Sequence, residues 1–234
     1  MRSWRDHVSV LVIAPHALDE VLGCGGTIAV HAAAGSQVHI LVLCGDGTGH
    51  DARRRDAARQ AADLLGAQPP CFAGFPENRS DTVPLCEMVG VIERAVSQLR
   101  PSVVYVSNGS NLNIDHQTAF RAAATALRPV PDSPVVEFYG YEIPSSTDWA
   151  PPGLGNAFHP SRFIEITTVL SRKLKALEAY SFDMRAEPHA RSLASLKNLA
   201  HARGATVGVS AAEAFTVLRV VVREVEVTPP ASVE

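Results

Sequence analysis

The sequence predicts an α/β fold of the Rossmann-like kind, with a mostly parallel sheet and helices on both of its faces. Short β-branched runs at residues 8–13, 38–44, 71–75 and 103–106 alternate with alanine-rich stretches of helical spacing. This alternation is typical of parallel strands joined by right-handed crossover helices. The length of 234 residues, 46% of them hydrophobic, is enough for one large domain. We therefore expect a single domain over residues 1–234, with its core at about residues 8–222.

The helices of the first half are expected between these strands, at residues 21–34, 52–65 and 85–99. Each stretch is followed by a residue that ends helices. Gly35 and Gly66 can adopt the left-handed conformation that commonly closes a helix, and Pro101 cannot continue one. A fourth helix at 118–127 and a fifth strand at 135–141 continue the same alternation.

The last third of the chain is less regular. A stretch with several prolines and glycines, residues 144–160, predicts a long surface loop, and loops of this length are often functional. Helices are expected at 171–180 and 193–202, followed by an element at 211–222 that closes the domain. The tail after about Val225 is expected to be frayed.

Charge and cysteine content exclude several classes of protein. The formal net charge of −3, from 21 basic and 24 acidic residues, gives no reason to expect nucleic acid or an anionic membrane as a partner. No apolar run reaches the roughly 18 residues of a membrane-spanning helix. The four cysteines form no CxxC pair and no secreted disulfide pattern. A soluble, cytoplasmic protein is the simplest expectation.

Two clusters of polar residues follow strands of the predicted sheet. His16 and Asp19 come directly after the first strand, and His116 follows the strand at 103–106. Ligands of open α/β sheets bind beyond the carboxyl ends of the strands, and two imidazoles with one carboxylate suit a catalytic zinc site. Asp115 could orient one imidazole. On spacing alone, a helix N-cap at Asp19 beside a surface histidine is the simpler interpretation.

Other catalytic motifs are weak or absent in the sequence. Gly23, Gly25 and Gly26 do not fit the dinucleotide pattern G-x-G-x-x-G, because position 28 is isoleucine. A nucleotide-dependent oxidoreductase would therefore rest on fold analogy alone. No G-x-S-x-G motif of a serine hydrolase is present. Cys24 lies in a small-residue helix, where a packed core cysteine is the simpler interpretation.

The run PHALDEVLGCGGT, residues 15–27, resembles the opening of the LmbE/PIG-L deacetylase family, whose signature is Pro-His-Pro-Asp-Asp-Glu followed by a GCGGT-like segment. The second family signature, His-Pro-Asp-His, falls on residues 113–116. Segments 74–79 and 212–215 also resemble family members, and the likeness covers roughly residues 8–222. It implies a zinc-dependent amidase of Rossmann-like fold that removes acetyl from N-acetylated amino-sugar conjugates. The implied ligands of one Zn²⁺ are His16, Asp19 and His116, with Asp115 tuning a histidine.

Four residues are candidates for binding the small-molecule substrate. Asn78 and Arg79 lie in a segment that flanks the pocket in family members, and Asn113 opens the second signature. Arg54, near the start of the second helix, suits an anionic group of the substrate. The alternatives are a solvated turn at 78–79 and a charged helix face at Arg54. A homo-oligomer is compatible with the sequence.

The chain departs from the family at both proton-transfer positions. Leu18 stands where the family has its general-base aspartate, and Asn113 stands where it has the first histidine of the second signature. A general acid or base contributes about 10²–10⁴ in rate. Asp46, His50 or Glu142, each near a strand end, could replace the base. The alternative is a metal-holding sugar-binding or accessory protein with little hydrolysis.

Overall fold

The computed structural model describes residues 8–45, 47–151, 153, 155 and 157–222. Asp46 and the tail after Val225 lie outside these residues. The strands are β1 Ser9–Ala14, β2 Gln37–Cys44, β3 Cys71–Phe75, β4 Val103–Ser107, β5 Glu137–Tyr141, β6 Arg162–Glu165 and β7 Ala212–Val220. The helices are α1 Asp19–Ala33, α2 Gly49–Leu65, α3 Leu85–Leu99, α4 Ile114–Ala126, α5 Leu170–Glu178 and α6 Leu193–Ala205. A short 3₁₀ turn covers Ser80–Thr82.

The described strands form one mostly parallel sheet in the order β3-β2-β1-β4-β5-β7-β6. β1 pairs in parallel with β2 and β4, and β4 pairs in parallel with β5. β7 runs antiparallel to both of its neighbours. The Rossmann-like prediction is confirmed, and the closing element at 211–222 is the antiparallel strand β7. The sequence analysis missed β6, because four residues after a long loop carry no strand pattern of their own.

Helices cover both faces of the sheet, as predicted. One apolar cluster joins the sheet to α1, α2, α5 and α6, and a second joins the opposite face to α3 and α4. The order of the strands reverses at β1, so β2 and β4 lie on either side of it. The carboxyl ends of β1 and β4 therefore meet at a crevice, the usual ligand-binding position of such sheets.

Glycines let α1 lie unusually close to its neighbours. A Cβ atom on Gly23 would lie 2.1 Å from the ring of Tyr141, and one on Gly26 would lie 2.6 Å from Ile166. The Tyr141 hydroxyl donates to the Ile13 carbonyl at 2.9 Å, so the same ring also fixes the end of β1. Cys24, between these glycines, is fully buried, which agrees with a core cysteine. Burial raises the pKa of its thiol well above the usual range.

A buried ion pair ties α1, α5 and β7 together. Lys173 Nζ lies 2.6 Å from Glu213 Oε1 and also donates to the Leu22 carbonyl at 2.9 Å. The Glu213 carboxylate accepts the backbone N–H groups of Gly26 and Thr27 at 2.8 and 2.7 Å. Both charged side chains are thus paired and hydrogen-bonded, as burial of charge requires.

None of the helices in the described part of the chain is both long and apolar enough to cross a bilayer.

Buried His31 makes folding stability depend on pH. Burial, with a smaller contribution from Arg162, lowers the pKa of His31 from 6.5 to about 4. Between these two pH values the unfolded chain binds a proton at His31 and the folded chain does not. The free energy of unfolding therefore falls as the pH drops from 6.5 towards 4. We expect a loss of about 3 kcal/mol across this window, absent in His31→Gln. Urea unfolding at several pH values measures it, with exposed His201→Gln as the control. Parallel pH profiles for His31→Gln and the unaltered chain would contradict the assignment.

Candidate metal centre

Three predicted metal ligands converge at the crevice between β1 and β4. His16 follows β1, Asp19 begins α1, and His116 lies in the first turn of α4. His116 Nε2 lies 3.2 Å from Asp19 Oδ2 and 3.2 Å from His16 Nδ1. Asp19 Oδ2 and His16 Nδ1 are 3.4 Å apart. Ligand atoms around tetrahedral zinc, with bonds of about 2.0–2.1 Å, are about 3.3–3.4 Å apart. The donor set therefore fits a zinc-sized cation.

Asp115 orients the His16 ring. Its Oδ2 lies 2.7 Å from His16 Nε2, so that nitrogen carries the proton and Nδ1 presents its lone pair to the other ligands. Burial opposes ionisation of Asp115, but His16 and the N–H groups of Ser80 and Asn78 lower its pKa to about 2. A carboxylate this acidic and fully engaged acts as an anchor for the imidazole.

The protonation of the cluster also suits a cation. Burial alone would lower the pKa of His16, yet the carboxylates of Asp115 and Asp19 outweigh it and raise that pKa to about 9. Burial likewise opposes ionisation of Asp19, but the two histidines hold its pKa well below the usual range. The cluster therefore attracts positive charge, which a divalent metal can supply as protons leave.

Asn113 caps the N-terminus of α4, a role that its position in the second signature does not indicate. It is the N-cap of α4, and its Oδ1 accepts the Asp115 backbone N–H at 2.8 Å. Its Nδ2 donates to Asn78 Oδ1 at 3.1 Å. Asparagine is a preferred N-cap residue, so the departure from histidine improves the start of the helix. Asn78 and the next residue, Arg79, are both exposed.

Arg54 lies in a network of ion pairs at the start of α2. Its Nη1 donates to both oxygens of Glu77 at 2.8 and 3.0 Å, and its Nε donates to Asp183 at 2.6 Å. His50 Nε2 lies 3.1 Å from the same Asp183 carboxylate. Because Glu77 precedes Asn78, Arg54 also supports the segment whose N–H reaches Asp115. Glu77 and Asp183 lie far from Arg54 in sequence, and no sequence motif predicts that they pair with it.

Glu142, a candidate for the missing base, is engaged elsewhere. Its carboxylate oxygens accept from Arg203 Nε and Nη2 of α6 at 2.8 and 2.6 Å. This two-point ion pair leaves the carboxylate directed at α6, and Asp46 lies outside the described residues.

Leu18 stands at the family's general-base position in a strained conformation. Its φ of 102° lies in a region that leucine rarely adopts. The side chain is 4% exposed and belongs to the apolar cluster on the α1 face. Its backbone N–H donates to Glu20 Oε2 at 2.9 Å. Burial raises the pKa of Glu20 to about 7, and the Tyr180 hydroxyl donates to its other oxygen at 2.5 Å.

Cys44 is a neighbour of the centre that the sequence analysis did not single out. Its sulfur, a His16 nitrogen and an Asp115 oxygen all lie within 4.8 Å of one another. Burial, together with the charge of Asp115, raises the pKa of the thiol well above its usual range. Cys44 groups with His16 and Asp115 and not with Asp19 and His116, so it lies beside the candidate three-ligand centre. The available signal was its place at the carboxyl end of β2, beside β1.

Removing the charge of Asp115 tests its anchoring role. In Asp115→Asn the amide no longer attracts the His16 proton, and we expect zinc affinity to fall about 10–100-fold. Competition with a fluorescent chelator measures this, and Asp81→Asn, an exposed carboxylate in the neighbouring 3₁₀ turn, is the control. Unchanged affinity in Asp115→Asn would show that His16 needs no such anchor.

Fold and centre together define an α/β protein with a candidate catalytic metal site at the switch point of a parallel sheet. The family model PIG-L, described as GlcNAc-PI de-N-acetylase, matches residues 11–127. The chain belongs to this family of PIG-L (LmbE-like) deacetylases.

Similar proteins carry more than one activity in their names. The Escherichia coli (strain K12) protein "uncharacterized deacetylase YaiS" is 27% identical over 144 residues, 58% of this chain and 75% of that protein. The 4-oxalmesaconate hydratase of Pseudomonas putida is 27% identical over 194 residues, 73% of this chain and 72% of the hydratase. The structure of N,N′-diacetylchitobiose deacetylase from Pyrococcus horikoshii has a TM-score of 0.75 at 20% identity, covering 92% of this chain and 85% of that one. At that identity, the last likeness shows the fold alone.

Proposed function

We propose that this chain is a zinc-dependent hydrolase that removes an N-acetyl group from a small N-acetylated amino-sugar conjugate. The observation that carries the proposal is the convergence of His16, Asp19 and His116 within 3.2–3.4 Å of one another. Membership of a family described by N-acetylglucosamine de-N-acetylation supports the substrate class. The name of the Pyrococcus horikoshii neighbour refers to an N-acetylated sugar as well.

The three ligands would hold one zinc ion at the edge of the sheet. A zinc ion bound there would polarise the amide carbonyl and lower the pKa of a water molecule. The chain's own contribution is to keep the ligand atoms in place. Asp115 holds the His16 tautomer, and the Asn78 and Ser80 N–H groups hold Asp115.

We assign substrate contacts to exposed or half-buried polar groups around this centre. The amides of Asn78 and Asn113 and the guanidinium of Arg79 would bind sugar hydroxyls or a phosphate. Arg54 would attract an anionic substituent, although Glu77 and Asp183 already hold two of its nitrogens. Four free cysteines support a cytoplasmic setting.

The proton acceptor has to differ from the family's usual one. Leu18 carries no ionisable group, and Asp115 is held ionised by three hydrogen bonds. Among the candidates from sequence, Glu142 is paired with Arg203 and His50 with Asp183. Asp46, two residues after the end of β2 in the sequence, is the acceptor that we propose.

A second candidate function is a metal-holding, sugar-binding protein with little hydrolysis. The burial of Leu18 in the apolar core favours it, because that position is built for packing instead of proton transfer. Such a protein would bind the same conjugates and leave their amide bonds intact.

Acetate release separates the two functions. We would incubate zinc-loaded protein with a panel of N-acetylglucosamine conjugates and measure both acetate and free amine. Release that His116→Ala abolishes supports the hydrolase. A rise in melting temperature without acetate supports the binding protein. If neither occurs with zinc bound, a dicarboxylic enoate tests hydration, the activity for which the Pseudomonas putida relative is named.

Leu18→Asp and Asp46→Asn locate the proton acceptor. With Asp46 as the acceptor, Asp46→Asn lowers the rate about 10²–10⁴-fold while zinc content stays unchanged. Leu18→Asp then gives no gain, because it places a carboxylate in an apolar cluster. Higher activity in Leu18→Asp would instead show that the base is simply missing.

A further inference from the structure

A second cavity, of about 460 Å³, lies between α4, β7 and the segment that follows β4. This volume is within the range of small-molecule sites. Among the described residues that line it, none is a metal ligand or a proposed substrate contact. Its lining includes Asn108, Gln117, Phe120, Arg121, Thr216 and Leu218. The cavity shares α4 with the metal centre but is a separate site.

Two of the polar side chains that line this cavity are Asn108 and Thr216, and one of them lacks a hydrogen-bond partner within the described chain. Asn108 is 8% exposed. The Thr216 hydroxyl oxygen is buried and has no hydrogen-bond partner. An unsatisfied buried polar group costs about 1–3 kcal/mol, so such groups commonly have a partner. A bound ligand with oxygen atoms would supply one.

The remaining lining sets the charge and shape of that ligand. Phe120 and Leu218 form an apolar surface that is continuous with the core of this face. Arg121 and His159 are exposed side chains at the cavity, and no carboxylate is among its described lining residues. We propose that this cavity binds a small organic anion with an apolar body, such as an aromatic monocarboxylate. Arg121 would pair with the carboxylate, and the ring would lie on Phe120 and Leu218.

Gln117 gives the site a rigid boundary. Its side-chain N–H donates to the Asn111 carbonyl at 2.7 Å, which joins α4 to the loop ahead of Asn113. Gly109 lets the Phe120 ring approach this loop, since a Cβ there would lie 2.4 Å from the ring. The cavity is therefore bounded by packed elements, as a preformed binding site requires.

Calorimetric titration with benzoate, and with benzamide as its neutral counterpart, tests the site. We would use the full chain loaded with zinc and repeat each titration after chelation, because a carboxylate can also bind zinc. We expect saturable benzoate binding in both states, weaker by about tenfold in Arg121→Gln, in which a charge-assisted hydrogen bond is lost. Benzamide binding should not change in that variant. Arg172→Gln, an exposed arginine on α5, is the matched control and should leave both affinities unchanged.

Two further variants locate the bound probe. Ala157→Trp places a large side chain at an exposed lining residue, where folding is least affected, and should abolish binding. Thr216→Val keeps the shape of the side chain but removes its hydroxyl, and should weaken both probes. Benzoate binding that needs zinc, that is absent, or that persists in Ala157→Trp would overturn the proposal. Because chelated protein is included, failure of the deacetylase proposal would leave this test intact.

Discussion

The His116→Ala variant should purify without bound zinc, whereas the unaltered chain should hold about one zinc ion per chain. The variant loses one of the three predicted protein ligands. His16 and Asp19 alone cannot supply the three protein ligands of a catalytic zinc site. Elemental analysis after zinc loading and desalting measures the difference. We also expect acetate release, where the unaltered chain shows it, to disappear with the metal.

A matched histidine makes this result specific. His201 lies exposed on α6 and bonds to the Ser210 carbonyl, so His201→Ala should keep its zinc. Circular dichroism of both variants controls for folding. Zinc retained by His116→Ala, or no zinc in the unaltered chain after loading, would remove the metal centre and the hydrolase with it.

Glu213→Gln should destabilise the fold by about 3–5 kcal/mol, the usual cost of leaving a buried charge without its partner. The neutral amide cannot balance the Lys173 ammonium, which is 6% exposed. It also weakens the cap on the Gly26 and Thr27 N–H groups, because a carboxylate accepts both and an amide has one acceptor oxygen. Urea unfolding of the metal-free chain measures the loss.

The double variant Lys173→Met, Glu213→Gln separates charge from packing. Removing both charges together should recover a large part of the lost stability, since no unpaired ion remains in the core. Glu165→Gln, an exposed carboxylate on β6, should change stability by less than about 0.5 kcal/mol. If Glu213→Gln unfolds at the same urea concentration as the unaltered chain, the ion pair is not a structural tie.

Most of the fold could be predicted from the sequence, because its strands and helices are encoded in local sequence patterns. Strands of the first half are β-branched runs that begin and end within one or two residues of their predicted bounds, and the intervening helices have helical spacing and are followed by a glycine or a proline. β6 was not predicted, because its four residues become a strand only by pairing with Ala212–Phe215. Local pattern carries no information about such a long-range partner.

The candidate site was readable only in part. Two signatures in the sequence were enough to predict that His16, Asp19 and His116 act together. The role of Asn113 as the cap of α4, the ion pairs that hold Arg54 and the position of Cys44 beside His16 all depend on residues distant in sequence. These contacts arise from the order of strands in the sheet.

By itself, the sequence determined the fold class, the family and the choice of the three candidate metal ligands, because each is encoded in local pattern or in a contiguous motif. Only the tertiary structure decided that Leu18 packs into the core and that Glu142 is committed to Arg203. It alone also brought Asn108 and Thr216 into one cavity. The physical reason is that burial and pairing depend on which surfaces meet when the sheet closes, and neighbours along the chain do not specify that.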